Sequence, residues 1–331
     1  RKLYIYTEGV AYDITPVRGS PGSITGFTTT DGSATVTVTD ASHGAEVGDF
    51  VTISSTSGAV NGIPAATMDA EYEILTVPTA NTYTITAAAN ATSTGASAET
   101  ATATYQISVG TAVSQYGYGW GTYEWGKEAW GTARSTSNVT IEGRNWSFDN
   151  FGEDLLATVN NGATFRWDTS VGVGTPAAVV TAAPSVSRFN LVSMPDRHVF
   201  LFGTETTIGN STTQDDLFLR FSSQEDYNTW IPTATNTAGS FRIQDGSKII
   251  TAVRSRNAVL VWTDTSLNAL QFVGAPFTFN LTQIGANCGA VSLHSAVDVN
   301  GTAFWMSQNS FYKFDGAISK MPCSVQDYVF E

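Results

Sequence analysis

The chain has 331 residues, of which 42% are hydrophobic and 14% charged, so it is long enough for two or three domains and is not intrinsically disordered. Sixteen basic and 29 acidic residues give a net charge of −13 without any Lys/Arg cluster, which excludes tight nucleic-acid binding. A negative surface still suits a wall past which DNA slides, because like charges repel. Gly, Thr, Ser, Ala and aromatic residues dominate, which favours short strands, tight turns and an all-β protein.

Neither a membrane segment nor a disulfide framework is predicted. No window approaches the roughly 18 apolar residues of a membrane helix, and the N-terminus lacks a signal-peptide core. Cys288 and Cys323 have no metal spacing, so reduced thiols in an assembly compartment are expected, with a bridge between them as the less favoured alternative. Because the chain begins RKLYIY without Met and stops at QDYVFE, a fragment or a processed piece of a longer protein is a further expectation.

The first third of the chain predicts a hairpin followed by an inserted domain. KLYIYTEGVAYDITP, within residues 1–18, has the pattern of a hairpin and is interpreted as the first strands of a larger domain. From Gly19 to Thr104 there is no Lys, Arg, Trp or Cys, and strand-like alternation recurs in ATVTVTD, GDFVTISS and EYEILTVPTANTYTIT. Residues 19–104 are therefore predicted to form an inserted small β-sandwich or barrel whose two ends lie close together.

Residues 105–331 predict β-propeller-like blades. Pairs of apolar-alternating strands around a polar turn start at Leu155, His198, Ile249 and Ser295, which are 43, 51 and 46 residues apart. A period in the forties with three or four short strands per unit is typical of propeller blades. We predict an all-β fold in which a β-propeller-like repeat domain, complete or incomplete within these residues, carries the small inserted β-domain.

RFSSQEDYNTWIP, residues 220–232, combines acids, aromatic residues and hydroxyls. We interpret it as a corner that follows a strand ending at Phe221 and fixes one blade against the next. Its candidate inter-blade contacts are Phe221, Tyr227 and Trp230. SQEDYNTW, within the corner, is also the best helix candidate of the chain, as a single turn.

Catalysis is the alternative interpretation of the acids at these turns. Glycoside hydrolysis needs two carboxylates at a suitable separation, and Glu225, Asp226, Asp245 and Asp264 are the candidates. Acids at polar turns mostly cap backbone amides or face solvent, and no Gly-x-Ser-x-Gly elbow, HExxH motif or P-loop occurs. We therefore predict no catalytic residues and no enzymatic activity.

No metal or other cofactor is predicted. The three histidines occur without ligand spacing: His43, His198 and His294. Asp40, Glu46 and Asp49 lie close together in TDASHGAEVGD, which makes a calcium site conceivable, but the spacing does not match an EF-hand loop. A solvated acidic face is the favoured interpretation.

GYGWGTYEWGKEAWGT places Trp120, Trp125 and Trp130 five residues apart, each before a Gly. A spacing of five suits neither one face of a helix nor one face of a strand, so a looped segment is predicted. The three indoles are a candidate subunit interface, and packing onto their own blade or stacking on a sugar are the alternatives.

Three stretches carry a resemblance to a known family: RFSSQEDYNTW, GSFRIQDGSKIITAVRSRNAVLVWTDTSLNALQFVG and GAVSLHSAVDVNGTAFWMSQNSFYKFDG. Their corner, apolar strand pair and final Asp-Gly turn, together with EGVAYDITPVR near the N-terminus, resemble the tail nozzle and packaged-DNA stabilisation proteins of short-tailed bacteriophages. The resemblance covers about residues 1–18 and 105–331. The insert resembles small β-domains of phage tail proteins.

The resemblance implies a structural protein without catalytic residues to carry over. The implied protein is a homo-oligomeric ring of the virion tail, assembled in the host cytoplasm, that lines or closes the DNA channel and acts in genome retention and ejection. The implied partners are other tail proteins on the adaptor or portal side and fibres, with non-specific proximity to DNA. A carbohydrate-binding or glycan-cleaving β-propeller surface protein is the alternative function, and an adhesin domain of a secreted protein is the third.

Overall fold

A computed structural model describes residues 2–108, 110, 145–194, 196–274, 277–324 and 326–330. Over these residues the protein is all-β, as the composition predicted, and its sheets are antiparallel. The helices of this part of the chain are α1 (Ala65–Met68) and α2 (Gln326–Phe330), with 3₁₀ turns at Thr169–Val171 and Ser211–Thr213. None of the described helices is long and apolar enough to cross a membrane.

The predicted N-terminal hairpin is present. Strands β1 (Tyr4–Thr7) and β2 (Val10–Asp13) form a two-stranded sheet of their own. Glu8 and Gly9 at the turn both have positive φ, 51° and 85°, which is the backbone that a tight two-residue hairpin turn requires.

The next eight strands form one sheet that curls into a half-barrel, where the sequence predicted a small β-sandwich or barrel. The strands are β3 (Gly22–Thr29), β4 (Thr35–Asp40), β5 (Phe50–Ser54), β6 (Glu71–Glu73), β7 (Thr76–Thr79), β8 (Thr82–Thr86), β9 (Gly95–Ser97) and β10 (Ala101–Tyr105). Their order is β6-β5-β10-β3-β4-β8-β7, with β9 beside β3. The strands at the two ends of this order, β6 and β7, are consecutive in the chain, so the sheet curls to bring its two ends together. Alternate residues such as Val36 and Val38 are buried inside the curled sheet.

The chain enters and leaves the half-barrel side by side. Val17 and Gln106 form an antiparallel bridge. The Arg18 amide donates to the Tyr105 carbonyl (2.8 Å), and the Ile107 amide donates to the Pro16 carbonyl (2.9 Å). The two ends of the segment are therefore adjacent, which an inserted domain requires; the domain boundaries themselves stay predictions.

Among the described residues after the half-barrel, four four-stranded antiparallel sheets follow, here called blades 1 to 4. Blade 1 contains β11 (Trp146–Phe151), β12 (Asp154–Val159), β13 (Thr164–Trp167) and β14 (Ala178–Val179). Blade 2 contains β15 (Phe189–Val192), β16 (Val199–Phe202), β17 (Phe218–Phe221) and β18 (Gly239–Arg242). Blade 3 contains β19 (Ile249–Arg254), β20 (Val259–Thr263), β21 (Ser266–Gly274) and β22 (Thr278–Ala286). Blade 4 contains β23 (Ala296–Val299), β24 (Thr302–Met306), β25 (Phe311–Phe314) and β26 (Ile318–Lys320). Within every blade the strands pair in chain order, which is the propeller-like pattern that the sequence predicted.

Blades 1 and 2 begin one strand earlier than the sequence pattern suggested. Leu155 and His198 lie at the second strands, whereas the first strands begin at Trp146 and Phe189. From Trp146 to Phe189 is 43 residues, from Phe189 to Ile249 60, and from Ile249 to Ala296 47. Strand β11 alternates apolar and polar residues over only its first four positions, Trp146–Asp149, and β15 has only four residues. The repeating pattern therefore becomes clear only at the following strand.

By contacts within the chain, the residues group into two compact units, Arg1–Asn145 with Gly172–Ala178 and Trp146–Val171 with Val179–Glu331. The half-barrel has its own core, which includes Phe27, Val51 and Tyr83. In the second unit, each buried cluster joins two consecutive blades, as Phe221 and Phe279 do for blades 2 and 3.

Candidate functional site

The first strands of all four blades line one cavity of about 530 Å³. Its wall is built from residues 146–149 of β11, 189–191 of β15, 251–254 of β19, and 293, 294 and 296–298 at β23. In a propeller, the blades surround a central channel in this way. The cavity is the candidate functional site, since its volume lies within the range of small-ligand sites, roughly 300–1,000 Å³.

An ion pair connects blades 1 and 3 at the cavity. Arg254 Nη1 lies 2.9 Å from both carboxylate oxygens of Asp149 and donates to the Val192 carbonyl at 3.0 Å. The same carboxylate accepts from the amides of Val192 (2.7 Å) and Asn150 (2.9 Å). The Asp149 carboxylate therefore accepts hydrogen bonds from β11, β15 and β19, and it holds these three first strands together.

Further polar contacts connect the remaining first strands. The Ser147 hydroxyl donates to the Asn190 carbonyl at 3.2 Å, which connects blades 1 and 2. The Thr251 hydroxyl donates to the Leu293 carbonyl at 2.6 Å, which connects blade 3 to the chain entering blade 4. The wall therefore satisfies many of its own polar groups, as a structural joint does.

Two wall residues retain acceptors without a partner. Asn190 is 4% exposed, and its side-chain oxygen has no hydrogen-bond partner, although its amide nitrogen donates to the Leu156 carbonyl. Asp298 accepts from the Gly301 amide through one oxygen, and the other oxygen is unpaired. Beside them, the rings of Trp146 and Phe148 stack with centroids 6.3 Å apart. Because both unpaired oxygens are buried from solvent, the aromatic pair is the part of the wall that a ligand with an apolar face would suit.

The predicted corner residues contact the neighbouring blades. Trp230 is 2% exposed, packs with Leu156 of blade 1, and donates through Nε1 to the Tyr227 carbonyl at 2.7 Å. Tyr227 packs edge-on against Phe151 of blade 1, with ring centroids 5.5 Å apart. Phe221 instead contacts Phe279 of blade 3. The helical turn expected here was wrong, because Ser223 and Asp226 form an isolated antiparallel bridge.

None of the four turn acids considered for glycoside hydrolysis lines the cavity. Asp226 accepts from the Asn228 amide (2.7 Å) and the Thr229 hydroxyl (2.6 Å). Asp264 accepts from the Ser247 amide (2.7 Å) and hydroxyl (2.6 Å). Burial alone would raise the pKa of Asp264, but the hydrogen bonds from Ser247 and nearby amides outweigh it and lower the pKa. Asp245 accepts from the Gln283 amide, and Glu225 has a positive φ of 55° at the turn.

Within the described residues, no group of three or more His, Cys, Asp or Glu side chains is placed to hold a metal ion. Asp40 of the acidic stretch accepts from the Tyr105 hydroxyl at 2.6 Å, and Asp49 pairs with Arg18 at 2.8 Å. Both carboxylates therefore have protein partners. Cys288 is buried, Cys323 is partly exposed, and both are free thiols.

Sequence reasoning missed the wall of the cavity. The cavity wall includes Asp149, Asn190 and Arg254 because their strands converge there. No local sequence motif marks these residues. The candidate interface residues Trp120, Trp125 and Trp130 lie outside the described residues.

Comparisons with known proteins assign no family. No family model matches the chain, and no curated protein matches it. Among solved structures, the chain is similar to a phage phi92 endosialidase, with 13% identity and a TM-score of 0.30. That match covers 89% of this chain and 47% of the endosialidase chain, so this chain spans about half of its length. At such a TM-score the likeness assigns neither a common fold nor an activity.

Proposed function

We propose that this chain is a structural, non-enzymatic component of a bacteriophage tail, a nozzle- or hub-type ring protein that lines or closes the DNA channel and acts in genome retention and ejection. The observation that carries the proposal is that the family-like stretches coincide with runs of consecutive strands. The stretch that begins GSFRIQDG, residues 239–274, runs from β18 to the end of β21. The stretch that begins GAVSLHS, residues 289–316, contains β23, β24 and β25. The resemblance thus follows whole strands: the last strand of blade 2, the first three strands of blade 3 and the first three strands of blade 4.

Two further features support a structural role. The polar side chains Asp149, Arg254, Ser147 and Thr251 bond to other parts of the cavity wall, so the first strands act as joints between blades. The net charge of −13 suits a ring wall that DNA passes without binding, because the backbone of DNA is also negative.

The mass of the assembled particle tests the proposed ring. Native mass spectrometry or electron microscopy of the chain, alone and mixed with the tail proteins encoded beside it, should give a closed ring and a joint complex. A chain that stays monomeric and binds none of those proteins would contradict the proposal.

A carbohydrate-binding role is the second candidate, favoured by the stacked Trp146 and Phe148 rings on the cavity wall, because aromatic rings offer a sugar a flat apolar face. A sugar that binds only the native state at 100 times its Kd adds about 2.7 kcal/mol of stability. Thermal unfolding with and without a panel of oligosaccharides tests this role. An unchanged Tm across the panel, together with a ring, favours the structural role.

A further inference from the structure

Strand β22 is an edge strand with one unpaired side. It is the outermost strand of blade 3, and among the described residues only β21 pairs with it. It has nine residues, TFNLTQIGA, without a charge or a proline. The outer strands of the other blades are shorter or charged: β14 has two residues, β18 ends in Arg242, and β26 ends in Lys320.

Such an edge is normally protected. Its backbone N–H and C=O groups offer a template for another strand, and proteins usually blunt it with charge, proline or short length. Strand β22 has none of these devices. Its hairpin with β21 also exposes apolar side chains, since Phe277 is 76% and Val273 51% exposed. The edge is therefore suited to pairing with an added strand.

Strand β1 is a second such edge strand, in the other compact unit. Within the part of the chain that the structure describes, it pairs only with β2, in a two-stranded sheet. A hairpin alone is marginally stable without a third strand or a packed face. Tyr6 is 74% and Tyr4 53% exposed, and strand β1 carries no charge.

The charge of the chain indicates which partner can pair with the edges of β22 and β1. Two copies of a chain with a net charge of −13 repel each other unless they meet where charge is absent. From Thr265 to Leu293 the sequence contains no charged residue, and this range includes all of β21 and β22. A second copy of the same chain can approach this surface through β1 without placing like charges opposite each other.

We propose that β1 of one copy pairs with β22 of the next copy and extends blade 3 to a fifth strand. This inference rests on the ring assembly of the proposed function. The two contacting surfaces differ, so the contact is heterologous, and repeating it around an axis generates a ring when the rotation closes. The exposed tyrosines and the β21–β22 hairpin supply apolar and aromatic area to bury at such an interface.

Charge variants of the full chain test the pairing. Asn280→Lys with Thr282→Lys, both exposed on β22, should raise the subunit dissociation constant about tenfold or more. Tyr4→Asp with Tyr6→Asp on β1 should do the same. All four substitutions in one chain should restore most of the affinity, because Asp then faces Lys across the contact. The matched control, Ala234→Lys with Thr235→Lys on an exposed loop, adds the same charge and should leave the assembly unchanged.

Sedimentation and native mass spectrometry read the assembly, and circular dichroism checks that each variant is folded. If the ring still assembles with the two lysines on β22, or if the chain with all four substitutions does not regain affinity, the β1–β22 contact is wrong, although the ring itself still forms. A wild-type chain that never assembles overturns this contact together with the ring.

Discussion

The half-barrel and the blades solve the problem of burying apolar surface in different ways. The half-barrel curls around one core whose members, such as Ile24, Val51 and Tyr83, all lie between Ile24 and Tyr105, within the half-barrel itself. Each blade shares its buried side chains with a neighbour, as Trp262 of blade 3 and Trp305 of blade 4 do with ring centroids 5.4 Å apart. Damage in a blade should therefore reach the next blade, whereas damage in the half-barrel should stay local.

The largest effect is expected for Trp230→Ala. The indole is 2% exposed and packs with Leu156 of blade 1 and Leu201 of blade 2, so its removal leaves a cavity between two blades and should cost about 3–5 kcal/mol. Hydrogen exchange should show lost protection in β12 and β16 and unchanged protection in β4 and β8 of the half-barrel.

Ile231→Ala is the matched control for this substitution. Ile231 is the next residue and is 66% exposed, so the free energy of unfolding should change by less than about 0.5 kcal/mol. Equal loss of protection in the half-barrel after Trp230→Ala would show that the two regions unfold together.

Acid should weaken the blades through His198. The ring is fully buried between Phe221 and Phe279, and burial lowers its pKa to about 4. The unfolded chain binds a proton near pH 6.5 and the folded chain does not, so stability falls as pH drops from 6.5 to 4, by about 3 kcal/mol in total. Urea unfolding at pH 7, 5.5 and 4 measures this slope.

His198→Gln serves as the control for the acid effect, because glutamine does not titrate. In this variant the blades should lose their pH dependence over that window apart from what other groups contribute. A slope identical to that of the wild-type chain would remove His198 as its source.

A smaller change in the free energy of unfolding should distinguish two buried tyrosines of the half-barrel. The Tyr105 hydroxyl donates to the buried Asp40 carboxylate at 2.6 Å, so Tyr105→Phe leaves a buried carboxylate without that donor and should cost about 1–3 kcal/mol. The Tyr83 hydroxyl is buried close to the Tyr105 hydroxyl and has no hydrogen-bond partner of normal geometry, so Tyr83→Phe should cost less than Tyr105→Phe. Urea unfolding of the two variants compares them directly, and equal losses would contradict the assignment of the hydrogen bond.

The sequence predicted the strands better than the places where they meet. Alternation in ATVTVTD located β4, and the polar turn in AVLVWTDTSLNALQF located β20 and β21, because side-chain period and turn chemistry are local. The composition change at Gly19 and Thr104 lies close to the first and last half-barrel strands, which begin at Gly22 and end at Tyr105. The cavity could not be found, since Asp149 and Arg254 lie 105 residues apart and their ion pair depends on strand convergence.

The smallest effect is expected for the ion pair between blades 1 and 3. The Arg254 side chain is 42% exposed and that of Asp149 12%, so solvent screens the pair and its net contribution should be about 1 kcal/mol or less. A double-mutant cycle with Arg254→Gln and Asp149→Asn isolates this coupling, which should shrink as salt is raised. Lys313→Gln, beside the more exposed Asp315, provides a surface reference with a smaller change. A salt-independent coupling well above 1 kcal/mol would mean that the pair is sealed from water, and blades 1 and 3 would then depend on each other as strongly as adjacent blades do.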